Sequence, residues 1–281
     1  MPRISLPELE DQPWLPGWLR DYTTDCLRFL FGRFVDRTLL DDQLAGLLAA
    51  TGDDEILDLC SGGAGPLLVL LERLEARGCR PRVVLSDLYP NLPAFAAAAA
   101  SSPRVTYRAE PLDARRVPSE PAGVRTMFSA LHHFDPSTAR SILRDTSVSG
   151  RGFAAFEVAE RRLGTLAVVL GLLPLGVLAM TPFLRPFRLR RLIFTYVVPL
   201  VPLIVVWDGL ASCCRSYSVD ELRQLVDGLE IDGYCWQIGR APVRGLPVYT
   251  TYLLGVPRSP STHSAGESPR APSTYPPLPA T

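Results

Sequence analysis

Three acidic residues accompany three successive apolar segments, and the first of them precedes a glycine-rich turn. Asp58 lies in the apolar segment Glu55–Leu59, and the turn after it, residues 60–66, contains three glycines. Glycines leave room for a ligand against the backbone, and a helix that starts there points free N–H groups at the ligand. Asp87 suits two ribose hydroxyls, Asp113 suits an adenine amino group, and Asp58 suits an ammonium group. The pattern predicts a nucleoside site without a phosphate.

The composition excludes several classes of chemistry. All 29 basic residues are Arg, which rules out Schiff-base chemistry, a pyridoxal phosphate lysine and a phosphate-loop lysine. The 29 acidic residues balance them, which argues against a nucleic-acid binder. The six cysteines form no C-x-x-C pair, and the first residues are acids and prolines rather than an apolar run. We therefore expect reduced thiols, no targeting peptide and a cytoplasmic protein.

A nicotinamide dinucleotide is a weaker interpretation of the same turn. The dinucleotide pattern G-x-G-x-x-G, aligned on Gly63 and Gly65, has Leu68 where the third glycine should stand. Asp58, placed just before the turn, would face a pyrophosphate unfavourably. Both observations disfavour an oxidoreductase.

The acids and the turn resemble motif I and the following motifs of class I S-adenosylmethionine-dependent methyltransferases, over about residues 53–160 and 208–256. The sequence departs from the commonest form at Cys60 and Ser61, where Gly and Cys are usual, and at Ala64, where Gly often stands. The resemblance implies S-adenosylmethionine as cofactor and S-adenosylhomocysteine as product. It assigns to the cofactor site Asp58, Cys60, Ser61, Gly62, Gly63, Gly65, Asp87, Leu88, Asp113, Ala114 and Ser129.

The adjacent histidines His132 and His133 are the candidate catalytic residues. They follow the fourth predicted strand, whose carboxyl end borders the ligand crevice of a doubly wound sheet. A histidine there can deprotonate an acceptor hydroxyl or amine. The alternatives are packing against the cofactor or capping of the helix after Pro136, and methyl transfer that needs proximity alone. Metal binding is not expected, because adjacent side chains diverge and no nearby carboxylate has suitable spacing.

A second candidate contact lies further along the chain. Tyr217 precedes Ser218 and Glu221, which have the spacing of a capping box at a helix start. Related methyltransferases often have an arginine–tyrosine turn here, near the acceptor pocket. Tyr217 as an acceptor contact remains an alternative to the capping box, which we favour.

Around these residues, apolar segments alternate with amphipathic ones. The predicted strands are Glu55–Leu59 and residues 81–86, 105–109, 124–129, 151–158, 234–238 and 248–256, and the predicted helices are residues 67–77, 92–100, 136–146 and 219–229. This alternation predicts an α/β fold with a parallel, doubly wound sheet. The resemblance makes it a Rossmann-like sheet of seven strands. Residues 1–50 are predicted to form two helices split near Arg37. These helices could be a packing cap on the core, or a lid over a ligand pocket to which Trp14 and Trp18 would contribute.

Residues 161–207 interrupt the α/β pattern as a hydrophobic insert in the methyltransferase domain of residues 51–160 and 208–256. The insert has six Arg, no acid and two long uncharged runs, and Asp208 ends it. Attachment in the plane of an anionic membrane is favoured over a spanning hairpin, which would violate the preference for basic loops inside, and over a buried lid or oligomer surface. Residues 257–281, rich in Pro, Ser and Thr, are predicted to be disordered.

These features together predict a membrane-associated methyltransferase that acts on a small hydrophobic or lipid-like acceptor. The partners expected are that acceptor and an anionic membrane surface, with no nucleic acid. The alternative from another class is a catalytically silent, methyltransferase-like module that binds a membrane or a partner. The three acids favour the enzyme.

Overall fold

The computed structural model describes residues 1–34, 37–119, 123–230, 233–243 and 245–257. The predicted disordered tail lies, from residue 258 onward, outside these residues. Seven strands form one sheet in the order β3-β2-β1-β4-β5-β7-β6. The strands are β1 Glu55–Leu59, β2 Arg82–Leu85, β3 Val105–Tyr107, β4 Val124–Phe128, β5 Phe153–Glu157, β6 Tyr234–Pro242 and β7 Tyr249–Pro257. The expected seven-stranded α/β sheet is therefore confirmed.

The direction of the last two strands differs from the expectation of a parallel sheet. The strands β1 to β5 are parallel to one another, whereas β7 is antiparallel to both β5 and β6. Six residues separate β6 from β7, and a parallel crossover needs about a dozen or more. The short connection can only make a hairpin, and β6 extends to Pro242 rather than to residue 238.

Helices cover both faces of this sheet. They are α1 Gly17–Phe34, α2 Arg37–Thr51, α3 Gly65–Ala76, α4 Leu92–Ser101, α5 Pro136–Val148, α6 Leu163–Ala167, α7 Leu173–Met180, α8 Leu189–Leu192, α9 Leu200–Arg215 and α10 Val219–Val226. Leu44, Leu67 and Phe95 bring α2, α3 and α4 into the core on one face. Leu143 and Leu222 bring α5 and α10 into the core on the other.

The two N-terminal helices have different roles. The apolar side chains of α2 are part of the core, as a packing cap requires. α1 instead lies over the glycine-rich turn and lines the cavity described below. Trp14 is exposed, and Trp18 packs on Phe194 of the insert rather than on the cavity. The lid expectation fits α1, but the two tryptophans do not contribute to the cavity.

The insert is helical and packs against α1. Residues Leu163–Phe183 form one helical stretch, made of α6, a π-helical turn Val168–Leu172, α7 and a final 3-10 turn, and Val177 packs with Leu19 and Ile204 in a third core cluster. Asp208 does not end the insert, because α9 continues through it to Arg215. The aspartate is buried and its carboxylate accepts backbone hydrogen bonds from the N-terminal segment.

One helix, Leu163–Phe183, is long and apolar enough to cross a membrane by length and composition. A second candidate is the pair Leu189–Val197 and Leu200–Arg215, which is bent by 72°. Only 22% of the apolar window in the first helix is buried. The insert therefore presents most of that apolar surface outward while its inner side joins the rest of the molecule.

Candidate active site

The residues assigned from the sequence lie around one cavity of about 720 Å³ at the carboxyl ends of the parallel strands. Those on the cofactor side are Asp58, Cys60, Ser61, Gly62, Gly63, Gly65, Asp87, Leu88, Asp113, Ala114 and Ser129. Both His132 and His133 line the same cavity. Residues up to 75 positions apart are thus brought together around one cavity.

The glycine-rich turn is held in an uncommon backbone conformation. Cys60, Gly62 and Ala64 all have positive φ, near 57°, 52° and 58°. For Cys60 and Ala64 this left-handed conformation is unfavourable, and it persists only where the surrounding structure enforces it. The backbone N–H of Ser61 donates to the carbonyl of Ser86 at 2.9 Å, which fastens the turn to the end of β2.

The glycines of the turn make room for protein as well as for ligand. A Cβ on Gly63 would lie 2.9 Å from the backbone oxygen of Thr24, and one on Gly65 would lie 2.5 Å from Cα of Arg28. These two positions therefore let α1 approach the turn, which the sequence argument about ligand access did not anticipate. Gly62, by contrast, has open space for a Cβ and needs its positive φ.

Asp58 is the most buried of the three acids. Its side chain is within β1, and Oδ1 accepts a hydrogen bond of 2.6 Å from the hydroxyl of Thr126 on β4. Burial raises the pKa of Asp58 to about 7, against the opposing effect of the Thr126 hydrogen bond and with a contribution from the negative charge of Asp87. A cationic group bound in the cavity would relieve this unfavourable burial.

Asp87 shapes the turn and faces the cavity. Its Oδ2 accepts a 2.8 Å hydrogen bond from the backbone N–H of Gly62, and its Oδ1 accepts one of 2.8 Å from Tyr89. Each carboxylate oxygen has two lone pairs, so both retain acceptor capacity for a ribose. The carboxylate that would hold the ribose is thus also the group that fixes the glycine turn.

Asp113 is engaged differently from the other two acids. Its carboxylate forms a bidentate ion pair with Arg115, at 2.9 and 2.6 Å, and hydrogen bonding to that guanidinium lowers the pKa of Asp113. The side chain lines the cavity but is also part of a partly exposed ion pair. An adenine amino group would share the carboxylate with Arg115.

The two histidines sit on a 3-10 turn, Leu131–His133, directly after β4. Glu157, at the end of β5, accepts hydrogen bonds from the backbone N–H groups of Ala130 and Leu131 at 3.0 and 2.7 Å. Nδ1 of His132 donates to the other oxygen of Glu157 at 2.5 Å. Although burial opposes it, the charge of His132 and these hydrogen bonds lower the pKa of Glu157.

Two acids of the N-terminal segment complete the surroundings of the histidines. Nδ1 of His133 lies 2.8 Å from Oδ1 of Asp11, and the Nε2 atoms of both rings face the buried carboxylate of Glu8 at 3.5 and 3.4 Å. Burial lowers the pKa of His133, but the negative charges of Glu8 and Asp11 prevail and raise it to about 10.

This arrangement contradicts the argument made from the sequence against a metal. The rings of His132 and His133 do not diverge, since their centroids are 4.5 Å apart with 31° between the planes. Carboxylates do lie nearby, but they come from distant parts of the chain, which local spacing could not reveal. Glu8 and Asp11 were accordingly missed, and their only sequence signal is a short acidic run between prolines.

Two of the sequence alternatives concern the caps of helices α5 and α10. Asp135, not a histidine, caps α5 by accepting from the backbone N–H groups of Ser137 and Thr138. Ser218 and Glu221 form the expected capping box. The hydroxyl of Tyr217 donates to the carbonyl of Phe134 at 2.7 Å, and the residue is not among those that line the cavity.

The far part of the cavity is apolar and is built largely by the insert. Its lining from the insert and the rest of α9 consists of Thr165, Val168, Val169, Leu172, Leu173, Gly176, Gly209, Ser212 and Cys213. Leu27 and Leu30 of α1 add to this apolar wall. The cavity therefore joins an acidic, glycine-rich part to an apolar part.

Comparisons with known proteins concern the fold. No protein-family model matches the sequence, and no curated protein matches it. An O-methyltransferase family protein from Burkholderia thailandensis matches at 17% identity and TM-score 0.47, covering 84% of this chain and 60% of that one. Human N-acetylserotonin methyltransferase in complex with SAM matches at 9% identity and TM-score 0.48, covering 87% of this chain and 57% of that one.

The magnesium protoporphyrin IX methyltransferase of Synechocystis PCC 6803, with bound SAH, matches at 16% identity and TM-score 0.44, covering 79% of this chain and 83% of that one. The chain thus spans about 60% of the length of the first two of these three proteins. The seven-stranded mixed sheet with one inserted antiparallel strand agrees with the fold expected from the resemblance to class I S-adenosylmethionine-dependent methyltransferases.

Proposed function

We propose that this protein transfers a methyl group from S-adenosylmethionine to a small hydrophobic or lipid-like acceptor at a membrane surface. The observation that supports it most is the single cavity that holds both the three cofactor acids and an apolar wall from the insert. A donor and an apolar acceptor placed together in one cavity need little further help, because the sulfonium is itself a reactive methyl donor.

The acidic part of the cavity suits S-adenosylmethionine. The buried Asp58 would take the methionyl ammonium group, since a cation offsets the cost of burying that carboxylate. Asp87 has acceptor capacity for the two ribose hydroxyls. The chain has no lysine, and acids lie where a pyrophosphate would bind. Both observations disfavour a pyrophosphate and support a nucleoside cofactor over a dinucleotide.

The acceptor's proton is assigned to the cluster of His132, His133 and Glu8. The two histidines line the cavity, and Glu157 fixes the ring of His132 from behind. A group that takes a proton in the transition state contributes about 100-fold or more to the rate. Replacing both histidines by Ala should therefore lower turnover by about that factor while leaving S-adenosylhomocysteine binding intact.

Membrane attachment is proposed from the outer surface of the insert. Fourteen of the 22 large apolar side chains that are exposed in the described part of the chain belong to residues 163–207. Exposed apolar surface of this extent favours contact with a membrane or a partner. Because Val169 and Leu173 of the same helix line the cavity, a position in the plane of the interface suits this helix better than a span.

The experiment is a transfer assay with methyl-labelled S-adenosylmethionine and membrane lipid extracts. Label that moves into the organic phase with the wild-type protein, and not with the double histidine variant, supports the proposal. If the protein binds S-adenosylhomocysteine but transfers no label to any lipid or small apolar fraction, the catalytically silent module is the better account.

A further inference from the structure

A buried carboxylate and two histidines direct their unpaired atoms at one point beside the cavity. Nε2 of His132 lies 3.5 Å from Oε1 of Glu8, and Nε2 of His133 lies 3.4 Å from Oε2. Charge-assisted hydrogen bonds are shorter, at about 2.7–2.9 Å. Among the described residues, neither oxygen of Glu8 nor Nε2 of His132 has a hydrogen-bond partner, and all three atoms are buried. Such atoms are costly to leave unsatisfied.

The opposite edges of both rings are held by carboxylates. Nδ1 of His132 donates to Glu157 at 2.5 Å, and Nδ1 of His133 donates to Asp11 at 2.8 Å. A histidine that binds a metal through one nitrogen usually donates its other N–H to a carboxylate, which orients the ring and makes the free nitrogen a better ligand. Both rings have this arrangement, and both point their second nitrogen at the same carboxylate.

The two distances from Glu8 to the histidines fit a shared metal ion better than they fit hydrogen bonds, and the ligand atoms of all three residues lie within 4.8 Å of one another. Two ligands of a tetrahedral ion with bonds of about 2.1 Å lie about 3.4 Å apart. We propose that Nε2 of His132, Nε2 of His133 and the carboxylate of Glu8 bind a divalent transition-metal ion such as Zn²⁺. Two histidines and one glutamate are a ligand set found in catalytic zinc sites, which keep a further position open.

The charges around the site accommodate a divalent cation. Among the described residues of the cluster, the three carboxylates of Glu8, Asp11 and Glu157 are compensated only in part by the fixed cation Arg215, which lies 3.5 Å from Glu8 and 3.0 Å from Asp11. Buried carboxylates need compensating positive charge. A divalent ion at this point would supply it, and metal binding displaces any proton from the ligand nitrogens.

Glu8 is fixed in place by contacts of the N-terminal segment with α9. Asp208 accepts hydrogen bonds from the backbone N–H groups of Leu9 and Glu10 at 2.6 and 3.2 Å. The indole N–H of Trp207 donates to the carbonyl of Pro7 at 2.9 Å. These contacts on both sides of Glu8 preorganise the carboxylate over the histidines.

The open position of the ion would face the cavity, because His133 is partly exposed there and lines it. An acceptor hydroxyl bound to the ion would lose its proton more readily, since a metal lowers the pKa of a coordinated oxygen. Metal binding by this cluster does not depend on the methyl-transfer proposal, because it follows from the histidines and Glu8 alone.

The test measures metal on the full chain. The protein is stripped with a chelator, checked for its circular dichroism, and titrated with Zn²⁺ by calorimetry and with Co²⁺ by visible absorption. We expect one equivalent of each metal and the absorption of a tetrahedral Co²⁺ site. The Co²⁺ spectrum is recorded on the wild-type chain, so it does not depend on whether a variant folds.

Three variants locate the ion. Loss of an outer-sphere partner weakens metal binding by about 10- to 100-fold. Glu8→Gln and His132→Ala remove direct ligands, so each should weaken Zn²⁺ binding by more than that. The matched control is Glu10→Gln, two residues along the same segment, because the carboxylate of Glu10 is not among the ligand atoms of Glu8, His132 and His133 that lie within 4.8 Å of one another. That variant should bind Zn²⁺ as the wild type does.

Absence of stoichiometric Zn²⁺ or Co²⁺ binding by the folded wild-type chain would overturn the proposal. So would unchanged affinity in folded Glu8→Gln, or an equal loss in Glu10→Gln. None of these results bears on S-adenosylhomocysteine binding, so the metal site and the methyltransferase assignment can fail separately.

Discussion

Arg191 of the insert forms a fully buried ion pair with Asp25 of α1, with 2.8 Å between Nη1 and Oδ2. Its other terminal nitrogen donates to the carbonyls of Leu184 and Pro186 at 2.7 and 2.9 Å. This pair therefore fixes the insert to the helix that covers the glycine-rich turn. Because Arg191 is buried in this pair, it cannot contact a membrane, unlike the expectation for the arginines of the insert.

We expect Arg191→Met to destabilise the protein by about 3–5 kcal/mol, because it leaves the buried carboxylate of Asp25 with only the longer contact to Arg28, at 3.5 Å. The double variant Arg191→Met, Asp25→Leu should recover most of that loss. The exposed neighbour Arg190 is the control, and Arg190→Met should cost about 1 kcal/mol or less. Denaturant unfolding measures all three, and equal losses for Arg191→Met and Arg190→Met would contradict the assignment.

Two glycines should respond oppositely to alanine. Gly65→Ala places a Cβ 2.5 Å from Cα of Arg28 and should destabilise the protein by about 1–3 kcal/mol through overpacking. Gly46, in the exposed interior of α2, has nothing within 4 Å of a Cβ, so Gly46→Ala should stabilise by about 0.5–1 kcal/mol. Thermal or denaturant unfolding measures the stability of both variants. If Gly65→Ala left the stability unchanged, α1 would not pack against the glycine-rich turn.

The affinity for S-adenosylhomocysteine should fall as the pH falls below about 7. The pKa of Asp58 in the unliganded protein is raised from its usual 3.8 to about 7, so at lower pH the cofactor's ammonium group must displace a bound proton. The affinity should drop by up to tenfold per pH unit below 7. Asp58→Asn should bind more weakly with a flat profile between pH 5.5 and about 7.5.

The same shift has a consequence for stability in the absence of ligand. The folded state binds the Asp58 proton more tightly than the unfolded state does, so this group makes the protein less stable as the pH rises from about 4 to about 7.

The pH dependence of cofactor affinity has its own contradicting outcome. A profile that is identical in the wild type and in Asp58→Asn would show that a group other than Asp58 titrates.

Binding to anionic vesicles tests the outer surface of the insert. Arg185 and Arg190 are exposed and Arg188 is half-buried, so these residues, rather than Arg191, are available to headgroups. Changing Arg188 and Arg190 to Gln should weaken binding by about 2 kcal/mol, or about 30-fold, at low salt. Arg223→Gln on α10 is the control and should have no effect.

Several outcomes of the vesicle experiment would contradict an interfacial insert. Equal binding to neutral and anionic vesicles would exclude an electrostatic contribution of the arginines to membrane binding. Resistance of membrane-bound protein to alkaline extraction would instead favour a spanning hairpin. A complete lack of vesicle binding would favour a lid or a contact between copies of the chain.

Much of the fold was predictable from the sequence because its signals are local. The strand Glu55–Leu59, the capping box at Ser218 and the glycine turn each depend on residues within a few positions. The reversal of β6 and β7 was missed, although the short connection between them already excluded a parallel crossover. The three candidate acids could be placed at one cavity from the sequence because parallel strands bring their carboxyl ends to one edge.

The surroundings of the histidines could not be predicted in the same way. Glu8 and Asp11 reach His132 and His133 only because Asp208 holds the N-terminal segment against α9. No periodicity or motif spacing encodes a contact between segments that are more than 100 residues apart. The same reason explains why Arg191 was taken for a surface residue.

The most direct test of the account is a calorimetric titration with S-adenosylhomocysteine, with NAD⁺ titrated in parallel. We predict saturable 1:1 binding of S-adenosylhomocysteine, weakened by about 1.5–3 kcal/mol in Asp87→Ala and unchanged in the exposed control Asp220→Ala. NAD⁺ should not bind. Folded protein that binds NAD⁺ but not S-adenosylhomocysteine, or an Asp87→Ala variant with wild-type affinity, would contradict the assignment of this cavity.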